Sequence, residues 1–123
     1  MPQSKNLMIV EDSEELVEVW KTLFRATTDY RIRCCHSGNA AREAIMEGYE
    51  PSLVVTDYYL GDSTGLELYD YMSKKLPATK FVMVTGNHED EEMLRLQKDG
   101  QMSLLLKPVK FEVLRQAVSE ALN

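Results

Sequence analysis

The chain has 123 residues, of which 44% are hydrophobic and 28% are charged, so it can build one core and we expect a single domain spanning residues 1–123. Its formal net charge of −6 argues against direct nucleic-acid binding, because attraction to phosphates needs clustered lysine and arginine. No apolar run approaches the roughly 20 residues that cross a bilayer, and residues 1–6 lack the apolar core of a secretion signal, which indicates a cytoplasmic protein without a membrane partner.

Five short runs of β-forming residues alternate with stretches of helical periodicity along the chain. The predicted strands are residues 7–10, 30–35, 52–56, 80–84 and 103–106. Such an alternation predicts a parallel sheet, because parallel neighbours need right-handed crossover connections that place helices on both faces. The predicted fold class is therefore α/β, with a doubly wound sheet of five strands.

Each predicted helix has an apolar face that can pack on the sheet. The first follows a possible cap at Ser13, with apolar positions at Leu16, Val19, Trp20, Leu23 and Phe24. The second begins after Ser37, turns Ala41, Ala44 and Ile45 inward and ends at Gly48. The third spans Gly65–Lys75, with Leu68, Tyr69 and Met72 as apolar residues. The fifth has apolar residues at Phe111, Leu114, Ala117, Val118 and Ala121.

The fourth helical stretch, residues 89–99 before Gly100, has the weakest signal. Met93, Leu94 and Leu96 form a narrow apolar stripe among many charges. We therefore expect this helix to be the most exposed and the most weakly docked of the five.

The two cysteines, Cys34 and Cys35, are adjacent in the second predicted strand. Successive side chains of a strand point to opposite faces, so a disulfide between them is geometrically unfavourable. We interpret both as reduced packing residues.

Polar side chains follow four of the predicted strands, at the edge where a doubly wound sheet forms its ligand site. They are Glu11, Asp12, Asp57, Thr85 and Lys107. Crowded carboxylates are tolerated best around a divalent cation, and Mg²⁺ suits such hard oxygen ligands. Lys107 adds a positive charge and Thr85 a hydroxyl donor, so Asp57 can attack a phosphoryl group as nucleophile and form an aspartyl phosphate.

The ordered set Glu11-Asp12, Asp57, Thr85-Gly86 and Lys107-Pro108 resembles the receiver domain family of two-component response regulators, over essentially the whole chain. The loop that begins at Asp57 also fits the family pattern, with an apolar residue three positions after the aspartate and Gly65 eight positions after it. Any one of these motifs alone is weak evidence for the family. Together, in this order and each at the end of its own predicted strand, they are strong evidence.

The resemblance implies a flavodoxin-like fold with strand order 2-1-3-4-5. It implies that Asp57 accepts a phosphoryl group from a phosphohistidine and that the domain then changes its interaction surface. It assigns Mg²⁺ to Asp12, Asp57 and the backbone carbonyl of Tyr59, with Glu11 acting on a water of the metal.

The resemblance also assigns binding of the phosphoryl oxygens to Thr85 and Lys107, with a cis peptide bond between Lys107 and Pro108. In this family the residues two after the aspartate and two after the threonine influence hydrolysis of the acyl phosphate, and here they are Tyr59 and Asn87. We hypothesise that the bulky Tyr59 shields the phosphoryl group from water.

The implied partners are a sensor histidine kinase or histidine phosphotransfer protein as phosphodonor, and a downstream effector protein or domain. A homodimer could form through the face of the fourth helix, fifth strand and fifth helix, roughly residues 89–123. The resemblance implies a signalling domain with intrinsic phosphotransfer and autodephosphorylation chemistry, not a metabolic enzyme.

Two positions depart from the family pattern. Leu104 stands three residues before Lys107, where family members commonly carry an aromatic ring that turns inward, so repacking of residues 85–100 would have to transmit the signal instead. Gly61 stands where proline is frequent, which should leave the loop after Asp57 less restricted.

Three other function classes share part of this pattern. A receiver-like interaction module that acts without phosphorylation is the main alternative, although every phosphorylation residue is present. A phosphatase of the haloacid-dehalogenase type needs a second acid two residues after the nucleophile, where Tyr59 stands. A flavin-binding flavodoxin needs a Ser/Thr/Gly-rich phosphate loop after the first strand, where Glu11 and Asp12 would repel a phosphate.

Several candidate residues have a simpler interpretation. Asp57 alone could be a turn or capping residue. It is interpreted as a site residue only because Glu11, Asp12, Thr85 and Lys107 are predicted at the same edge of the sheet. His36 and His88 are interpreted as solvated, Trp20 as a core residue, and the acidic run at 89–92 as a first helical turn favoured by the helix dipole.

Overall fold

The computed structural model describes residues 5–86 and 91–123, and within these ranges five strands alternate with five helices. The strands are β1 (Asn6–Val10), β2 (Arg31–Cys35), β3 (Leu53–Asp57), β4 (Lys80–Thr85) and β5 (Ser103–Leu106). The helices are α1 (Glu14–Thr27), α2 (Gly38–Met46), α3 (Gly65–Lys75), α4 (Glu91–Lys98) and α5 (Phe111–Leu122). The predicted strands agree with these bounds to within one residue at each end.

The strands form one parallel sheet in the order β2-β1-β3-β4-β5, which confirms the predicted fold class and strand order. All five residues of the central strand β3 are buried, because helices cover both faces of the sheet. The carboxyl ends of β1, β3 and β4 therefore lie side by side, and the residues at these ends share one edge.

Alternating side chains of the strands divide the interior into two cores. The core under α2, α3 and α4 contains strand residues Met8, Val10, Val54 and Met83 together with helix residues such as Ala41, Leu68 and Met93. The core under α1 and α5 contains Leu7, Ile9, Val55, Val82 and Val84 together with Trp20, Phe24, Leu114 and Val118. Burial of Trp20 confirms its interpretation as a core residue.

The apolar face of α1 was predicted wrongly at Val19, which is 52% exposed. Val17 is buried instead, together with Trp20 and Phe24. These three are three and four positions apart and share one face, whereas Val19 is rotated from its neighbour Trp20 by about 100°. The distribution of apolar residues allowed both faces, and docking on the sheet selected the one with Val17.

Exposure of α4 agrees with the sequence, since six of its eight residues are exposed, a larger share than in any other described helix. Met93 and Leu96 are buried, but Leu94, also assigned to the apolar stripe, is 40% exposed. Residues 89 and 90 lie outside the described residues, and the weak docking of this helix stays a prediction.

The two predicted helix caps and the predicted exposure of His36 are confirmed. Ser13 Oγ accepts a hydrogen bond from Leu16 N–H at 3.3 Å, and Ser37 Oγ accepts one from Ala40 N–H at 3.0 Å. His36 is exposed, and His88 lies outside the described residues.

Both cysteines are free, as expected. Cys35 is buried in the core under α2, and Cys34 packs against the opposite core. Within residues 5–86 and 91–123, no helix combines the length and the apolar character that crossing a bilayer would require.

Candidate functional site

Three acidic side chains meet at the carboxyl end of the sheet. Glu11 and Asp12 follow β1 directly, and Asp57 is the last residue of the neighbouring strand β3. One carboxylate oxygen from each of the three lies within 4.8 Å of the others. Glu11 and Asp57 are buried, with 1% and 7% exposure, whereas Asp12 is exposed. The adjacency of β1 and β3 thus produces an acidic cluster at the edge of the sheet, called the acidic cleft below, in which Asp12 is the exposed member.

Lys107 supplies a positive charge to this cleft from the end of β5. Its Nζ lies 2.8 Å from Asp57 Oδ1 and 3.6 Å from Glu11 Oε1. The Lys107 N–H donates to the Thr85 carbonyl at 2.9 Å, which ties the chain after β5 to the end of β4. The peptide bond between Lys107 and Pro108 is cis. The structure therefore brings together the Asp57 carboxylate and the Lys107 ammonium, two groups that the sequence predicted to share one site.

Thr85 lies at the same edge, as the last residue of β4, and is 1% exposed. In the register of β3 and β4, Asp57 pairs with Val84, so Thr85 is one residue further along the neighbouring strand. Tyr59 is 65% exposed, and its ring packs edge-on against Tyr58 with 4.8 Å between ring centroids. Asn87, the other residue assigned to control of hydrolysis, lies outside the described residues.

The charges of the cleft perturb one another. Burial raises the pKa of the Glu11 carboxyl, and Asp12 and Asp57 raise it further. The hydrogen bond that Ser13 N–H donates to Glu11 Oε2 at 2.9 Å acts in the opposite direction and lowers it, but the net pKa stays above its usual value. Burial alone would lower the pKa of Lys107, but the hydrogen bond and charge of Asp57, together with Glu11, leave it raised. The Lys107 ammonium therefore stays charged beside these carboxylates.

The acidic cluster has the composition of a site for a hard divalent cation. Within residues 5–86 and 91–123, Lys107 is the one cation paired with this cluster of three carboxylates, so acidic groups outnumber basic ones there. Glu11 Oε1 is buried and accepts no hydrogen bond from any residue in the described ranges. Lys107 Nζ lies 3.6 Å from this oxygen, in ion-pair range but too far for a hydrogen bond, so a cation with its hydration waters would supply both more positive charge and a hydrogen-bond donor.

The loop between β3 and α3 passes very close to Asp57. Gly65 N–H donates to the Tyr58 carbonyl at 2.6 Å, which closes the loop. A Cβ atom on Gly65 would lie 2.6 Å from the Asp57 carbonyl oxygen and 2.6 Å from Met83 Sδ. The glycine eight positions after the aspartate therefore has a steric reason, because the Asp57 carbonyl oxygen and the Met83 side chain occupy the space of a Cβ.

Replacing Gly65 by alanine is expected to lower the free energy of unfolding by about 2 kcal/mol, because the new methyl group overlaps a backbone that cannot rotate away. Urea unfolding of the two proteins measures this difference. Gly86→Ala is the matched control, since no described atom lies within 4 Å of a Cβ there. An unchanged unfolding midpoint for Gly65→Ala would contradict the close approach.

Two contacts near the site were not anticipated from the sequence. One is the hydrogen bond from Ser13 N–H to Glu11, which follows from the sharp turn between β1 and α1. The other is the contact of Asp62 with Gly38 and Asn39, residues that precede it by 24 and 23 positions. No local pattern marks such a contact, because it depends on how α2 and the loop after β3 meet in space.

Comparison with known sequences identifies relatives of the chain. The sequence model of the family described as response regulator receiver domain matches residues 7–119. Response regulator protein PilR of Pseudomonas aeruginosa is 33% identical over 126 residues, covering 100% of this chain and 27% of that protein. Response regulator protein VraR of Staphylococcus saprophyticus is 28% identical over 114 residues, covering 91% of this chain and 54% of that protein. The chain thus spans about half the length, or less, of these curated relatives.

Solved structures share the same fold. A response regulator receiver domain protein (CheY-like) from Methanospirillum hungatei superposes with a TM-score of 0.87 at 25% identity, covering 98% of this chain and 94% of that chain. The signal receiver domain of a LuxO repressor-type protein from Vibrio parahaemolyticus gives a TM-score of 0.86 at 24% identity, with coverages of 98% and 91%. With its five-stranded sheet, its acidic cleft and a family match over residues 7–119, the chain belongs to the response regulator receiver domain family.

Proposed function

We propose that Asp57 accepts a phosphoryl group in a Mg²⁺-dependent reaction and that the domain, residues 1–123, thereby switches its interaction surface. Accepting phosphoryl groups in two-component signalling is the function of the family to which the chain belongs. The observation that carries the assignment to Asp57 is the placement of its buried carboxylate 2.8 Å from Lys107 Nζ, inside a cluster of three acids. In the same proposal the domain acts in the cytoplasm, on the strength of family membership.

Transfer from a phosphohistidine needs a nucleophile and neutralisation of charge. A carboxylate oxygen of Asp57 attacks phosphorus, the phosphorus–nitrogen bond breaks, and the leaving imidazole nitrogen keeps the electron pair. Lys107 stabilises negative charge on the phosphoryl oxygens, and Thr85 at the end of β4 donates a hydrogen bond from its hydroxyl. Both residues act by position, without changing their own bonds.

The metal is part of this proposal. Asp12, Asp57 and the backbone carbonyl of Tyr59 would hold Mg²⁺, with Glu11 accepting a hydrogen bond from a water of its hydration shell. When bound, Mg²⁺ supplies positive charge to the phosphoryl oxygens. The excess negative charge of the cluster and the unsatisfied Glu11 Oε1 support this assignment.

Incubation with acetyl phosphate and Mg²⁺, followed by hydroxylamine, tests the proposal. Hydroxylamine cleaves acyl phosphates and leaves phosphate esters of serine, threonine and tyrosine intact, so the incorporated phosphate should be released. A sample incubated with a chelator in place of Mg²⁺ is the control and should incorporate none. Phosphate that resists hydroxylamine would point to another acceptor, and no incorporation would favour the interaction module that acts without phosphorylation.

Tyr59 is proposed to slow hydrolysis of the phosphorylated state, together with Asn87. Tyr59 lies on the loop after Asp57, and its ring packs edge-on against the ring of Tyr58. In this position the ring can restrict the approach of water to the cleft. Tyr59→Ala is expected to raise the dephosphorylation rate, measured as decay of purified phosphoprotein in Mg²⁺ buffer. Tyr59→Phe keeps the ring and should behave as wild type. The shielding role is wrong if the alanine variant decays no faster.

A phosphodonor has a suitable surface beside the cleft. An apolar groove lined by Leu16, Trp20, Pro108 and Val109 borders Lys107. We propose that a sensor histidine kinase or histidine phosphotransfer protein docks on this groove when it presents its phosphohistidine to Asp57, because Lys107 belongs to both the groove and the acidic cluster. Apolar contact there would exclude water while the phosphoryl group is transferred.

The output surface is proposed to be the face of α4, β5 and α5. Three large aliphatic residues are exposed there, Leu94, Leu106 and Val113, at 40%, 47% and 48%. Exposed apolar side chains on these three elements support contact with an effector or a second copy of the domain. Leu104 pairs with Met83 across β5 and β4 and packs on the core under α4, so a shift at Thr85 could reach this face by repacking.

A further inference from the structure

We propose that Asp62 is a positioning residue, which holds the loop between β3 and α3 against α2 and so fixes the backbone that completes the metal-binding cleft. This inference rests on the proposed function of the Asp57 site. Asp62 touches neither the phosphoryl group nor the metal in this proposal and acts only through the loop.

The contact is a two-point hydrogen bond between a side chain and a helix end. Asp62 Oδ1 accepts from Gly38 N–H at 3.0 Å, and Oδ2 accepts from Asn39 N–H at 2.8 Å. Ser63 Oγ also donates to Oδ1, at 3.1 Å. Hydrogen bonds from Asn39, Gly38 and Ser63 lower the pKa of Asp62 against the opposing effect of burial, and the negative charge is favoured at a helix N-terminus.

The start of α2 depends on this loop for half of its hydrogen bonds. A helix leaves its first four N–H groups without partners inside the helix. In α2 these are the N–H groups of Ser37, Gly38, Asn39 and Ala40, because the Ala41 N–H already donates to the Ser37 carbonyl within the helix. Ser37 Oγ accepts from Ala40 N–H. Asp62 accepts from Gly38 N–H and Asn39 N–H, two of these four groups. The loop and the helix end are also in direct contact, since a Cβ on Gly38 would clash with Ser63 Oγ.

The same loop borders the acidic cleft. Leu60 is buried, and its N–H donates to the Ser63 carbonyl at 3.0 Å, so the loop turns back on itself between these residues. Gly61 at the tip has a φ of 84°, a left-handed conformation closed to proline. A Cβ on Gly61 would lie 3.9 Å from Asp12 Oδ2.

Asp62 therefore restrains the loop close to the metal site. It is the residue after Gly61, which borders Asp12, and it is three residues after Tyr59, whose carbonyl is the proposed backbone ligand. Glycine at the tip leaves the unfolded loop many conformations. Without the Asp62 contact, the loop would be held by its internal hydrogen bonds and by buried Leu60 but not by α2, and Mg²⁺ binding would have to supply more of its order. The Asp62 contact orders it beforehand, so that less of the metal's binding free energy is lost to ordering the loop.

Two alanine variants separate this role from simple stabilisation of α2. Asp62→Ala removes the tether, whereas Ser37→Ala removes the other cap of the same helix and leaves the loop untouched. The Mg²⁺ dissociation constant, measured by calorimetry, should rise about tenfold in Asp62→Ala, the scale expected when a residue that orients metal ligands is lost. It should be unchanged in Ser37→Ala. Asp62→Asn, which keeps the volume but loses the charge and one acceptor, should lie between them.

Amide hydrogen exchange of the metal-free protein gives a second readout. Asp62→Ala should accelerate exchange at Leu60, Gly38 and Asn39, whereas Ser37→Ala should accelerate exchange at Ala40 and leave Leu60 unchanged. Wild-type affinity and wild-type Leu60 exchange in Asp62→Ala would overturn the inference, as would an equal loss of affinity in Ser37→Ala. If the wild type binds no Mg²⁺, the proposed function fails, and exchange at Leu60 alone decides whether Asp62 holds the loop.

Discussion

Replacing Lys107 by alanine is expected to slow phosphorylation of Asp57 by acetyl phosphate about 100-fold, the cost typical of removing one group that stabilises developing negative charge. The Lys107 ammonium is held 2.8 Å from Asp57 Oδ1 by the tie between the chain after β5 and Thr85. It therefore needs little rearrangement to meet an incoming phosphoryl group. The rate is measured by mass spectrometry at fixed concentrations of acetyl phosphate and Mg²⁺.

The same change should lower the free energy of unfolding in chelator by about 2 kcal/mol, because two buried carboxylates lose their cation. The cost stays below that of a fully buried pair, since the Lys107 side chain is 36% exposed and water screens the interaction. Lys110→Ala, at an exposed lysine just before α5, is the control and should change neither quantity. A Lys107→Ala protein that is phosphorylated at the wild-type rate would remove Lys107 from the catalytic set.

Replacing Asp12 by asparagine is expected to weaken Mg²⁺ binding about 100-fold. Loss of a residue that only orients a metal ligand costs about 10- to 100-fold in affinity, and loss of a ligand itself should cost at least as much. Asparagine keeps the volume and one oxygen but removes a negative charge from a cluster whose excess charge is the main attraction for a divalent cation. Asp12 is also the exposed member of the three, so it is the first carboxylate that an entering cation meets.

Calorimetric titration with Mg²⁺ measures this loss, and Asp70→Asn on the exposed face of α3 is the matched control. Phosphorylation of Asp12→Asn should recover in part when Mg²⁺ is raised, because the nucleophile and Lys107 are intact. An affinity equal to that of the wild type would show that Asp12 is not a ligand. A loss of phosphorylation that no Mg²⁺ concentration relieves would give Asp12 a role other than metal binding.

The fold and the residues of the site could be predicted from the sequence, because both depend on patterns of residues that are close together in the chain. Apolar β-branched runs such as the one at β3 mark strands that are buried on both faces, and their alternation with helices leaves few possible topologies. The polar residues follow the strand ends, so the strand order alone predicts that three of them lie close together, namely Glu11, Asp57 and Lys107. The order itself came from the resemblance and is confirmed.

The parts that could not be predicted depend on three-dimensional packing. In α1, Val17 and Val19 are equally apolar, and only the direction in which the helix docks on the sheet decides which is buried. The hydrogen bonds of Asp62 to the start of α2 join segments more than 20 positions apart. Gly61 in place of proline predicts a less restricted loop, which stays a prediction, and the hydrogen bonds of the neighbouring Asp62 are the contact proposed above to hold this loop.

The intact mass of the protein after incubation with acetyl phosphate and Mg²⁺, for wild type and Asp57→Ala, tests the central claim most directly. We predict that the wild type gains the mass of one phosphoryl group, about 80 Da, that it gains none in chelator, and that Asp57→Ala gains none under either condition. A wild-type protein that is folded and gains no mass, or an Asp57→Ala protein that gains as much as the wild type, would contradict the assignment of Asp57 as phosphoryl acceptor.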